Sequence, residues 1–514
     1  MNNGKICVSV AAETADEMIA KIKRAEELGD VVEVRFDSLR REELEPLLRS
    51  RTYPGPKNRV IESAGPPIIS TYRPKDQGGY QEISLSDREK FWKSGHETVY
   101  CDVEENVVHF TEEGLWLWIY RICSYHNFDN VPPDVESIVR RLLNTEVDKV
   151  KVAARVDDAV DAIPIWKLLD HGRPYGELSP RCMIPIAMGE AGKWTRILGL
   201  AHGAYLTYAS LDEGSETADG QITAKDLVEV YRVKDLDRDT RVYGVIGDPV
   251  SGSRSPYIHN AAFADAGLNN VFLHLLVKDL DAFITRMVKP ATREVELNFG
   301  GFSVTMPHKQ AIISHLDAID TVAEAIGAVN TVRIDDGKMT GFNTDAHGFI
   351  VPLKKHFGDV KDARVAVAGA GGAARACVYA LVKEGADVTI LARDVQKAAA
   401  LADEFGARSE NISNFRSEIP NGFDVIVNAT PLGMAGDVKD KTIFTAEQLS
   451  GVKFVYDLVM RPDDTPLIAE AKRAGVPAIG GLEMLVAQAE MQFEIWTGVR
   501  PPEGLMMQAV LARM

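Results

Sequence analysis

The sequence predicts an α/β protein that begins with an N-terminal (β/α)8 barrel, of the TIM-barrel class, and continues as a two-lobed part with a Rossmann-type dinucleotide-binding lobe. Three observations predict this fold class. The chain of 514 residues is too long for one hydrophobic core. Over residues 1–222, short apolar runs alternate with helix-like segments. Over residues 363–393, a glycine-rich turn connects an apolar run to a helix-like segment, and a second apolar run follows.

Eight apolar runs in the first part are predicted strands, and amphipathic segments such as 15–29 and 134–144 are predicted helices between them. The strands are predicted at 5–11, 31–37, 67–72, 98–104, 117–125, 148–154, 182–188 and 204–210. Eight strands that alternate with helices over roughly 200 residues are typical of a closed barrel. An open parallel sheet is the alternative that this pattern leaves open.

Polar residues fall toward the carboxyl ends of these predicted strands. They are Arg35, Asp37, Arg73, Asp102, Glu104, His126 and Lys151. In a barrel those ends converge on one mouth, where side chains from several strands build an active site. The sequence therefore predicts a polar site at this mouth. The alternative is that strand-end residues only reach water or form ion pairs.

Lys151 lies between Val150 and Val152, in a stretch typical of a buried strand. A lone ammonium is costly there unless it is paired or neutralised. A lysine in a partly dry site next to another cation loses its proton more easily and becomes an amine nucleophile. With His126 as acid and base, this predicts a Schiff-base reaction on a carbonyl substrate. Lys149 shares a strand face with Lys151, so spacing alone does not identify the reactive lysine.

Residues 222–241 are highly charged and show no apolar strand pattern. We interpret this segment as a mostly helical connection between the two parts. The boundary is expected near residue 240.

The turn at residues 369–372 predicts a dinucleotide site, because it follows an apolar strand and opens a helix. Its glycines, Gly369, Gly371 and Gly372, let the backbone approach a pyrophosphate at the helix N-terminus. A glycine-rich turn without a ligand is the alternative for an α/β protein.

The residues after the second predicted strand of this lobe indicate which dinucleotide binds. The strand at 387–393 ends in Arg393, and Lys397 follows about one helical turn later. Cations there suit the 2′-phosphate of NADP, whereas Asp394 between them is a signal for NAD. The balance favours NADP.

Four stretches rich in hydroxyl and amide side chains precede the dinucleotide pattern, and they predict a substrate-binding lobe. They are residues 247–260, 301–309, 327–332 and 341–349. Ser253 and Ser255 are candidates to hold a carboxylate, and Lys309 with Asp345 is a candidate proton-transfer pair. Taken singly, each stretch has an alternative interpretation as turn chemistry.

The composition excludes several classes of function. A formal net charge of −17 argues against nucleic acid or an anionic membrane as the main partner. The five cysteines are scattered without C-x-x-C spacing, as expected of free thiols in a reducing compartment. The sequence shows neither a signal-peptide pattern nor a run of membrane-spanning length. We expect a cytoplasmic protein without a metal site, unless a removed transit peptide directs it to a plastid.

Short motifs in the first part resemble those of type I 3-dehydroquinate dehydratase. They are EVRFD (33–37), TYR (71–73), DVE (102–104), SYH (124–126), DKVK (148–151) and TADGQ (217–221). Motifs in the second part resemble those of shikimate dehydrogenase. They include SGSRSP (251–256), VTMPHK (304–309), AVNTV (328–332), NTD (343–345), GAGGAA (369–374), NATPLGM (428–434) and GLEMLVAQAEMQFEIWTG (481–498). Their order is similar to that of the dehydratase–dehydrogenase fusion known from plants and some bacteria.

The resemblance also implies a domain organisation. It comprises a dehydratase barrel at 1–222, a linker helix at 223–241, a substrate lobe at 242–346, an NADP lobe at 347–485, and C-terminal helices at 486–514 that return to the substrate lobe. Two covalently joined domains suffice as a monomer, and the sequence leaves the oligomeric state open.

For the barrel, the resemblance implies dehydration of 3-dehydroquinate to 3-dehydroshikimate. Lys151, the fourth residue of D-x-x-K, would form an imine with the substrate ketone, and His126 would transfer protons. The implied substrate contacts are Glu33, Arg35, Arg73, Arg196, Thr217 and Gln221. No external cofactor is needed, because the cationic imine nitrogen accepts the electrons that proton removal releases.

For the second part, the resemblance implies reduction of 3-dehydroshikimate to shikimate with NADPH. Lys309 and Asp345 would be the catalytic residues. The implied substrate contacts are Ser253, Ser255, Thr305, Asn330 and Gln488. The implied cofactor contacts are Gly369, Ala370, Gly371, Gly372, Ala373, Arg393, Lys397, Thr430 and Gly481.

Three positions depart from the family patterns. Gln77 stands where a glutamate is frequent, Asp219 replaces the proline of A-P-G-Q, and Met460 replaces the tyrosine of D-x-V-Y. Two alternatives to the implied function are a quinate dehydrogenase in the second part and a non-catalytic sensor of quinate or shikimate. Retention of Ser253, Ser255 and Thr305 favours shikimate over quinate.

Overall fold

The computed structural model describes residues 2–49, 65–93, 99–111, 120–145, 147–172, 182–415, 422–434, 436–461 and 463–514. The chain divides into two compact units. The first comprises Met1–Ser253 with Asn269–Phe299, and the second comprises Arg254–Leu268 with Gly300–Met514. The domain boundaries predicted near residues 222 and 241 differ from the limits of these two compact units. They concern parts that fold independently, and they stay predictions.

Parallel strands of the first unit form one curled sheet. Its principal strands are β1 (Lys5–Val10), β2 (Val31–Arg35), β3 (Ile68–Thr71), β4 (Tyr100–Glu104), β5 (Tyr120–Asn127), β6 (Lys149–Arg155), β7 (Met183–Met188) and β8 (Leu206–Ser210). Each of β1 to β6 pairs with the next strand along the chain, and β1 also pairs with β8. The backbone N–H of Tyr205 donates to the Met183 carbonyl at 3.0 Å, so the start of β8 returns to the start of β7.

This topology confirms the predicted (β/α)8 barrel over the open sheet. The observed strands agree with the predicted ones to within two or three residues at their ends. Residues 98 and 117–119 of the predicted strands lie outside the described residues. The shared register aligns Lys151 of β6 with Ser124 of β5, and Arg35 of β2 with Thr71 of β3. Polar residues of neighbouring strands are therefore at similar heights in the barrel.

Helices follow most of the barrel strands. They are α1 (Ala15–Glu26), α2 (Arg41–Arg49), α3 (Leu85–Lys93), α4 (Val135–Leu143), α5 (Ile163–Lys167), α6 (Lys193–His202) and α7 (Ala224–Glu229). Thr14 is the N-cap of helix α1, and its side chain accepts a hydrogen bond from the backbone N–H of Glu17. It buries Met18 and Ile22 toward the sheet, as its amphipathic pattern predicts.

The connecting segment is less helical than the sequence predicts. Helix α7 ends at Glu229, and the short strand β9 (Ile222–Thr223) precedes it and pairs with β8. Leu227, Val233 and Leu236 are buried, so the segment packs as part of the first unit. The sequence pattern did not reveal these three apolar positions, because they lie among many charged residues and do not follow one helical period. The unit also contains β10 (Arg241–Gly247), which pairs in parallel with β11 (Asn270–Leu276), and the short helix α9 (Leu280–Phe283).

The second unit contains two groups of strands. In the first group β12 (Phe299–Val304) pairs antiparallel with β14 (Thr331–Asp335), which pairs antiparallel with β15 (Lys338–Phe342), and β13 (Ala318–Ile319) pairs in parallel with β15. The accompanying helices are α8 (Ser255–Asp265), α10 (Thr321–Ile326) and α11 (Asp345–Phe357).

The second group is a parallel sheet with the strand order of a Rossmann fold. Its strands are β16 (Arg364–Ala368), β17 (Asp387–Ala392), β18 (Arg408–Asn411), β19 (Val425–Asn428), β20 (Phe454–Asp457) and β21 (Ala478–Ile479), in the spatial order β18-β17-β16-β19-β20-β21. Its helices are α12 (Gly372–Lys383), α13 (Val395–Phe405), α14 (Pro466–Arg473), α15 (Gly481–Thr497) and α16 (Leu505–Leu511). The order reverses between β16 and β19, and dinucleotides bind at such a reversal. The predicted Rossmann lobe is confirmed.

Helix α15 packs closely on α11 of the same unit. A Cβ at Gly348 would lie 2.6 Å from the Cβ of Gln488, which only glycine avoids. This close approach brings Gln488 near the start of α11, where Asp345 lies.

Candidate active sites

A cavity of about 240 Å³ lies in the barrel and is lined by residues at the carboxyl ends of its strands. All eight barrel residues implied by the resemblance line it, namely Glu33, Arg35, Arg73, His126, Lys151, Arg196, Thr217 and Gln221. Residues from six strands or the loops after them therefore meet in one place, because parallel strands end at the same side of a barrel.

Lys151 is buried and makes an ion pair with Asp102. Its Nζ donates to Asp102 Oδ2 at 2.8 Å and lies 4.2 Å from the centre of the Tyr208 ring. Asp102 also accepts from Arg73 Nη2 at 2.7 Å. Burial opposes ionisation of Asp102, but Arg73 and Lys151 overcome it and lower the pKa of this carboxyl. The costly ammonium predicted from the sequence is thus paired.

The two lysines of β6 have different surroundings. Lys149 Nζ lies 4.4 Å from the centre of the Tyr205 ring, and Lys149 is not among the described residues that line the cavity. Lys151 shares the cavity with His126. The geometry therefore distinguishes two residues that spacing alone left equivalent.

Arg73 connects the ion pair to His126. Its Nη1 lies 2.8 Å from His126 Nε2, and its Nε donates to Glu104 Oε1 at 3.1 Å. Because a guanidinium only donates, His126 Nε2 is the acceptor and the ring proton is on Nδ1. Burial, followed by the charges of Arg73 and Lys151, lowers the pKa of His126 well below its usual value. His126 is therefore neutral at physiological pH.

Glu33 and Arg35 are held by neighbouring side chains. Glu33 accepts from Ser9 Oγ at 2.5 Å and from Thr71 Oγ1 at 2.8 Å. Arg35 makes two bonds to Asp37, at 3.1 and 2.8 Å, and a third to the Gly78 carbonyl at 2.9 Å. The last bond fixes the backbone next to Gln77, which also lines the cavity.

Arg196 has unused donor atoms inside the barrel. It is 3 % exposed, and its Nη2 donates to the Asp219 carbonyl at 3.3 Å. Its Nε and Nη1 are buried and have no hydrogen-bond partner among the described residues. Burial lowers the pKa of this guanidinium to about 10. An anionic ligand group would satisfy both its charge and its free donors.

The loop that carries Thr217 and Gln221 is closed by their own hydrogen bonds. The Thr217 backbone N–H donates to Gln221 Oε1 at 2.8 Å, and Gln221 Nε2 donates to Thr217 Oγ1 at 3.1 Å. Asp219, at the position of the missing proline, lies 3.5 Å from Arg155 Nη1 through its Oδ2. Asp219 therefore has a cation beside its carboxylate, and it also lines the cavity.

In the second unit, Lys309 and Asp345 form an ion pair through Lys309 Nζ and Asp345 Oδ2. Asn330 Nδ2 donates to Asp345 Oδ1 at 2.8 Å and to Thr344 Oγ1 at 2.9 Å. Thr344 in turn donates to Gln488 Oε1 at 3.4 Å. Four of the predicted residues, from the turn after β12, the position before β14, and helices α11 and α15, therefore belong to one network.

The other predicted substrate contacts of the second part are Thr305, Ser255 and Ser253. Thr305 directly follows β12, and its carbonyl accepts from the His308 backbone N–H at 2.9 Å. Ser255 is the buried first residue of α8. Ser253 belongs to the first unit, where its carbonyl lies 2.9 Å from His274 Nε2.

The glycine-rich turn of the Rossmann lobe fits a pyrophosphate. Gly369 has φ 118°, and a Cβ there would lie 2.7 Å from the Ala429 carbonyl oxygen. Gly371 precedes α12 without a side-chain cap, and its Cβ position has no atom within 4 Å. Helix α12 begins shortly after Ala370. Its first backbone N–H groups, including those of Gly372 and Ala373, are available to an anion. The Cβ position of Gly372 lies 3.9 Å from Lys309 Cδ, so this turn is next to the catalytic candidate.

Exposed cations follow β17, as the sequence predicts. Arg393 and Lys397 are both exposed. The Asp394 carboxylate caps α13 by accepting from the Lys397 backbone N–H at 3.0 Å. Asp394, the residue that favoured NAD, thus serves as a helix cap. Arg393 and Lys397 remain the groups that suit a 2′-phosphate.

Thr430 and Gly481, the remaining predicted cofactor contacts, lie at the ends of strands β19 and β21. Thr430 Oγ1 donates to Asn428 Oδ1 at 2.7 Å. Gly481 is the first residue of α15, and a Cβ there would lie 2.2 Å from the Leu458 carbonyl oxygen. Both residues are at the carboxyl edge of the sheet, where dinucleotides bind.

Neither a metal cluster nor a membrane-spanning helix is found in the part of the chain that the structure describes. No group of three or more His, Cys, Asp or Glu side chains there could hold a metal ion. No described helix has the length and hydrophobicity needed to cross a bilayer. All five cysteines are buried free thiols.

The sequence placed Asp102 at the predicted mouth without a specific role, and it gave no indication of Tyr208. Asp102 was recognisable as a polar residue at a strand end. Tyr208 had no such signal, because an aromatic residue in an apolar run is usually core.

Known families match most of the chain. The model of type I 3-dehydroquinase matches residues 6–238, and that of the shikimate dehydrogenase substrate binding domain matches 245–332. The shikimate / quinate 5-dehydrogenase model matches 352–452, and the shikimate 5′-dehydrogenase C-terminal domain matches 481–511.

Individual proteins match one or both parts. The chain is 40% identical over 287 residues to an NADP(+) shikimate dehydrogenase of Methanocaldococcus jannaschii, which covers 54% of this chain and 99% of that protein. A crystal structure of shikimate dehydrogenase in complex with NADP+ matches with a TM-score of 0.50 and 40% identity, over 54% of this chain and 97% of that one.

One relative matches both parts together. The chloroplastic bifunctional 3-dehydroquinate dehydratase/shikimate dehydrogenase of Arabidopsis thaliana is 34% identical over 531 residues, which cover 99% of this chain and 84% of that protein. The chain belongs to the family of bifunctional 3-dehydroquinate dehydratase/shikimate dehydrogenases.

Proposed function

We propose that the chain catalyses two consecutive steps of the shikimate pathway, the dehydration of 3-dehydroquinate and the NADPH-dependent reduction of the resulting 3-dehydroshikimate to shikimate. The observation that supports the first step most strongly is one cavity that holds an ion-paired lysine, a neutral histidine and an arginine with donors that no described residue satisfies. Family membership over nearly the whole chain supports both steps.

In the dehydratase step, Lys151 attacks the substrate ketone, and loss of water gives a cationic imine. Asp102 Oδ2, at 2.8 Å from Nζ, accepts the ammonium proton that Lys151 must lose before it attacks, and it faces a positive nitrogen again once the protonated imine has formed. His126 then removes a proton from the ring carbon next to the imine, and the released electrons move to the nitrogen. Loss of the neighbouring ring hydroxyl, protonated by His126, gives a second water and the double bond. Hydrolysis of the imine consumes one water and frees Lys151.

His126 can act as the base because it is neutral, but its acceptor nitrogen already has a partner. The bond from Arg73 Nη1 to Nε2 must yield before this nitrogen takes a substrate proton. Arg73 retains Asp102 and Glu104 when that happens. Arg73 therefore holds the imidazole in place before substrate arrives.

The polar residues of the barrel would recognise a cyclic hydroxy acid. The free Nε and Nη1 of Arg196 suit the carboxylate, with Thr217 and Gln221 on the adjacent loop. Glu33, Arg35 and Arg73 are assigned to the ring hydroxyls. Gln77 cannot act as a base, and the buried site supplies the low pKa of His126 without it.

In the dehydrogenase step, Lys309 and Asp345 manage the proton. Lys309 supplies a proton to the oxygen that becomes an alkoxide, and Asn330 holds the Asp345 carboxylate in position. Ser253 and Ser255 are assigned to the carboxylate, and Thr305, Asn330 and Gln488 to the hydroxyls. Met460 lies after β20 without a phenol, so these groups are expected to carry substrate recognition.

The residues of the Rossmann lobe fit NADP(H). Gly369, Ala370, Gly371, Gly372 and Ala373 would hold the pyrophosphate, Arg393 and Lys397 the 2′-phosphate, and Thr430 and Gly481 the nicotinamide end. When bound, the reduced cofactor supplies a hydride to the substrate carbonyl.

The partners proposed for the chain are small molecules. These are 3-dehydroquinate, 3-dehydroshikimate, shikimate and NADP(H). The net charge of −17 supports the absence of nucleic acid and membrane partners, and a cytoplasmic monomer is consistent with this chemistry.

Replacement of Lys151 by methionine tests the dehydratase assignment, with Lys149→Met as the matched control on the same strand. Lys151→Met is expected to lower the dehydratase kcat by at least about a thousandfold, because no amine remains to form the imine. Borohydride added with 3-dehydroshikimate is expected to add a covalent mass to the wild type and to Lys149→Met only. Trapping in Lys151→Met would contradict the assignment.

The pH dependence of the dehydratase follows from the lowered pKa of His126. A histidine with its usual pKa of about 6.5 would become protonated and lose activity as the pH falls through that value. With a lower pKa, the neutral base persists below pH 6.5, so kcat/KM is expected to stay level from pH 8 to below 6.5. An acid limb centred near 6.5 in the measured profile would show that the ring is not shielded as described.

Replacement of Lys309 by methionine tests the second step. It is expected to lower the kcat for 3-dehydroshikimate reduction by about a hundredfold or more, because proton transfer to the alkoxide is lost. Dehydratase activity of the same variant is the internal control for folding and should be unchanged. Equal reduction rates in the variant and the wild type would contradict the assignment.

The cofactor assignment is tested by the double replacement Arg393→Gln and Lys397→Gln. The KM for NADPH is expected to rise about tenfold or more, because two cations near the 2′-phosphate are removed. The KM for NADH should change less than twofold, since that cofactor lacks the phosphate. Parallel changes for both cofactors would place the two cations elsewhere than at the 2′-phosphate.

A further inference from the structure

Tyr208 is a cavity residue to which the proposed reaction gives no role. It lies on β8, is 3 % exposed and lines the cavity beside Lys151, whose Nζ is 4.2 Å from its ring centre. Its hydroxyl is buried and has no hydrogen-bond partner among the described residues. A hydroxyl left unpaired in the interior is destabilising, so such atoms are expected where a ligand supplies the partner.

Arg196, which lines the same cavity, also has donor atoms that no described residue satisfies. Its Nε and Nη1 are also buried without partners in the described part of the chain. Burial lowers the pKa of Arg196, and the electrostatic influence of Tyr208 partly opposes this effect. Both side chains line the same cavity, so Tyr208 and the guanidinium face the same ligand space. Three unused donors, two from Arg196 and one from Tyr208, match a carboxylate, which has two oxygens and about four acceptor sites.

Burial, with Glu33 and Asp102, raises the pKa of the Tyr208 hydroxyl well above its usual value. The group therefore keeps its proton and can donate to an anion. In 3-dehydroquinate, one ring carbon separates the ketone carbon from the carbon that carries the carboxylate. The ring of Tyr208 contacts Lys151, and Tyr208 shares the cavity with Arg196, so one side chain suits both substituted carbons of this substrate edge.

We propose that Tyr208 is a substrate-binding residue of the dehydratase site, with its hydroxyl donating to the carboxylate that Arg196 binds and its ring supporting the Lys151 nitrogen that forms the imine. This inference rests on the proposed dehydratase function and adds a specific recognition group to it. The ring contact favours a cation at Nζ, which includes the cationic imine.

Tyr208→Phe tests the hydroxyl, because it removes one oxygen and keeps the ring. The dehydratase KM is expected to rise about tenfold with kcat within about twofold, as for a contact made equally in ground and transition states. Shikimate dehydrogenase activity of the same chain serves as the folding control. An unchanged KM would overturn the proposal.

A double-mutant cycle with Arg196→Lys identifies the substrate group involved. If both residues bind one carboxylate, Tyr208→Phe should raise KM less than about threefold in the Arg196→Lys background, since that carboxylate is already misplaced. Full additivity of the two effects would overturn the carboxylate assignment, because the hydroxyl would then bind another group.

Tyr208→Leu tests the ring. Borohydride trapping with 3-dehydroshikimate is expected to fall about fivefold or more in Tyr208→Leu and to remain at the wild-type level in Tyr208→Phe. Equal trapping in all three proteins would overturn the role of the ring. Absence of turnover and trapping in the wild type would instead reject the dehydratase function itself, so the two failures are distinguishable.

Discussion

A buried row of alternating charges is the constraint on which the barrel site depends. It runs from Arg88 through Glu104, Arg73 and Asp102 to Lys151, with contacts of 3.0, 3.1, 2.7 and 2.8 Å. Removal of Glu104 or Asp102 would leave Arg88 or Lys151 without its carboxylate, and a buried charge left unpaired typically costs about 3–5 kcal/mol. Three cations face two carboxylates, so the row has one excess positive charge. That excess suits an anionic substrate and keeps His126 neutral.

The site of the second unit is organised by an amide and not by a row of charges. Asn330 donates to Asp345 at 2.8 Å and accepts from the Thr344 backbone N–H at 2.8 Å. The ion pair that it supports is partly exposed, with Lys309 23% and Asp345 11% accessible. The two sites thus use different devices to fix a lysine. In the first unit Lys151 is buried and ion-paired, whereas in the second unit Lys309 is partly exposed beside the turn at Gly372.

The fold and the placement of most candidate residues follow from local sequence signals. Strand alternation and the glycine turn predict the two architectures because hydrophobic period and backbone freedom are local properties. The choice between Lys149 and Lys151 was not local, since it depends on Asp102 of another strand. The sequence likewise did not reveal the Tyr208 hydroxyl as a ligand group, because this depends on the absence of a hydrogen-bond partner among the described residues around it. Asp394 appeared to signal NAD until its capping bond was known.

One chain is proposed to perform both reactions in order. The most direct measurement identifies the products formed when the intact protein is incubated with 3-dehydroquinate and NADPH. Shikimate is the expected product, with 3-dehydroshikimate accumulating when NADPH is omitted. Quinate as the product would mean that the second part reduces 3-dehydroquinate directly. Bound but unchanged 3-dehydroquinate would mean a sensor, and either result would contradict the account.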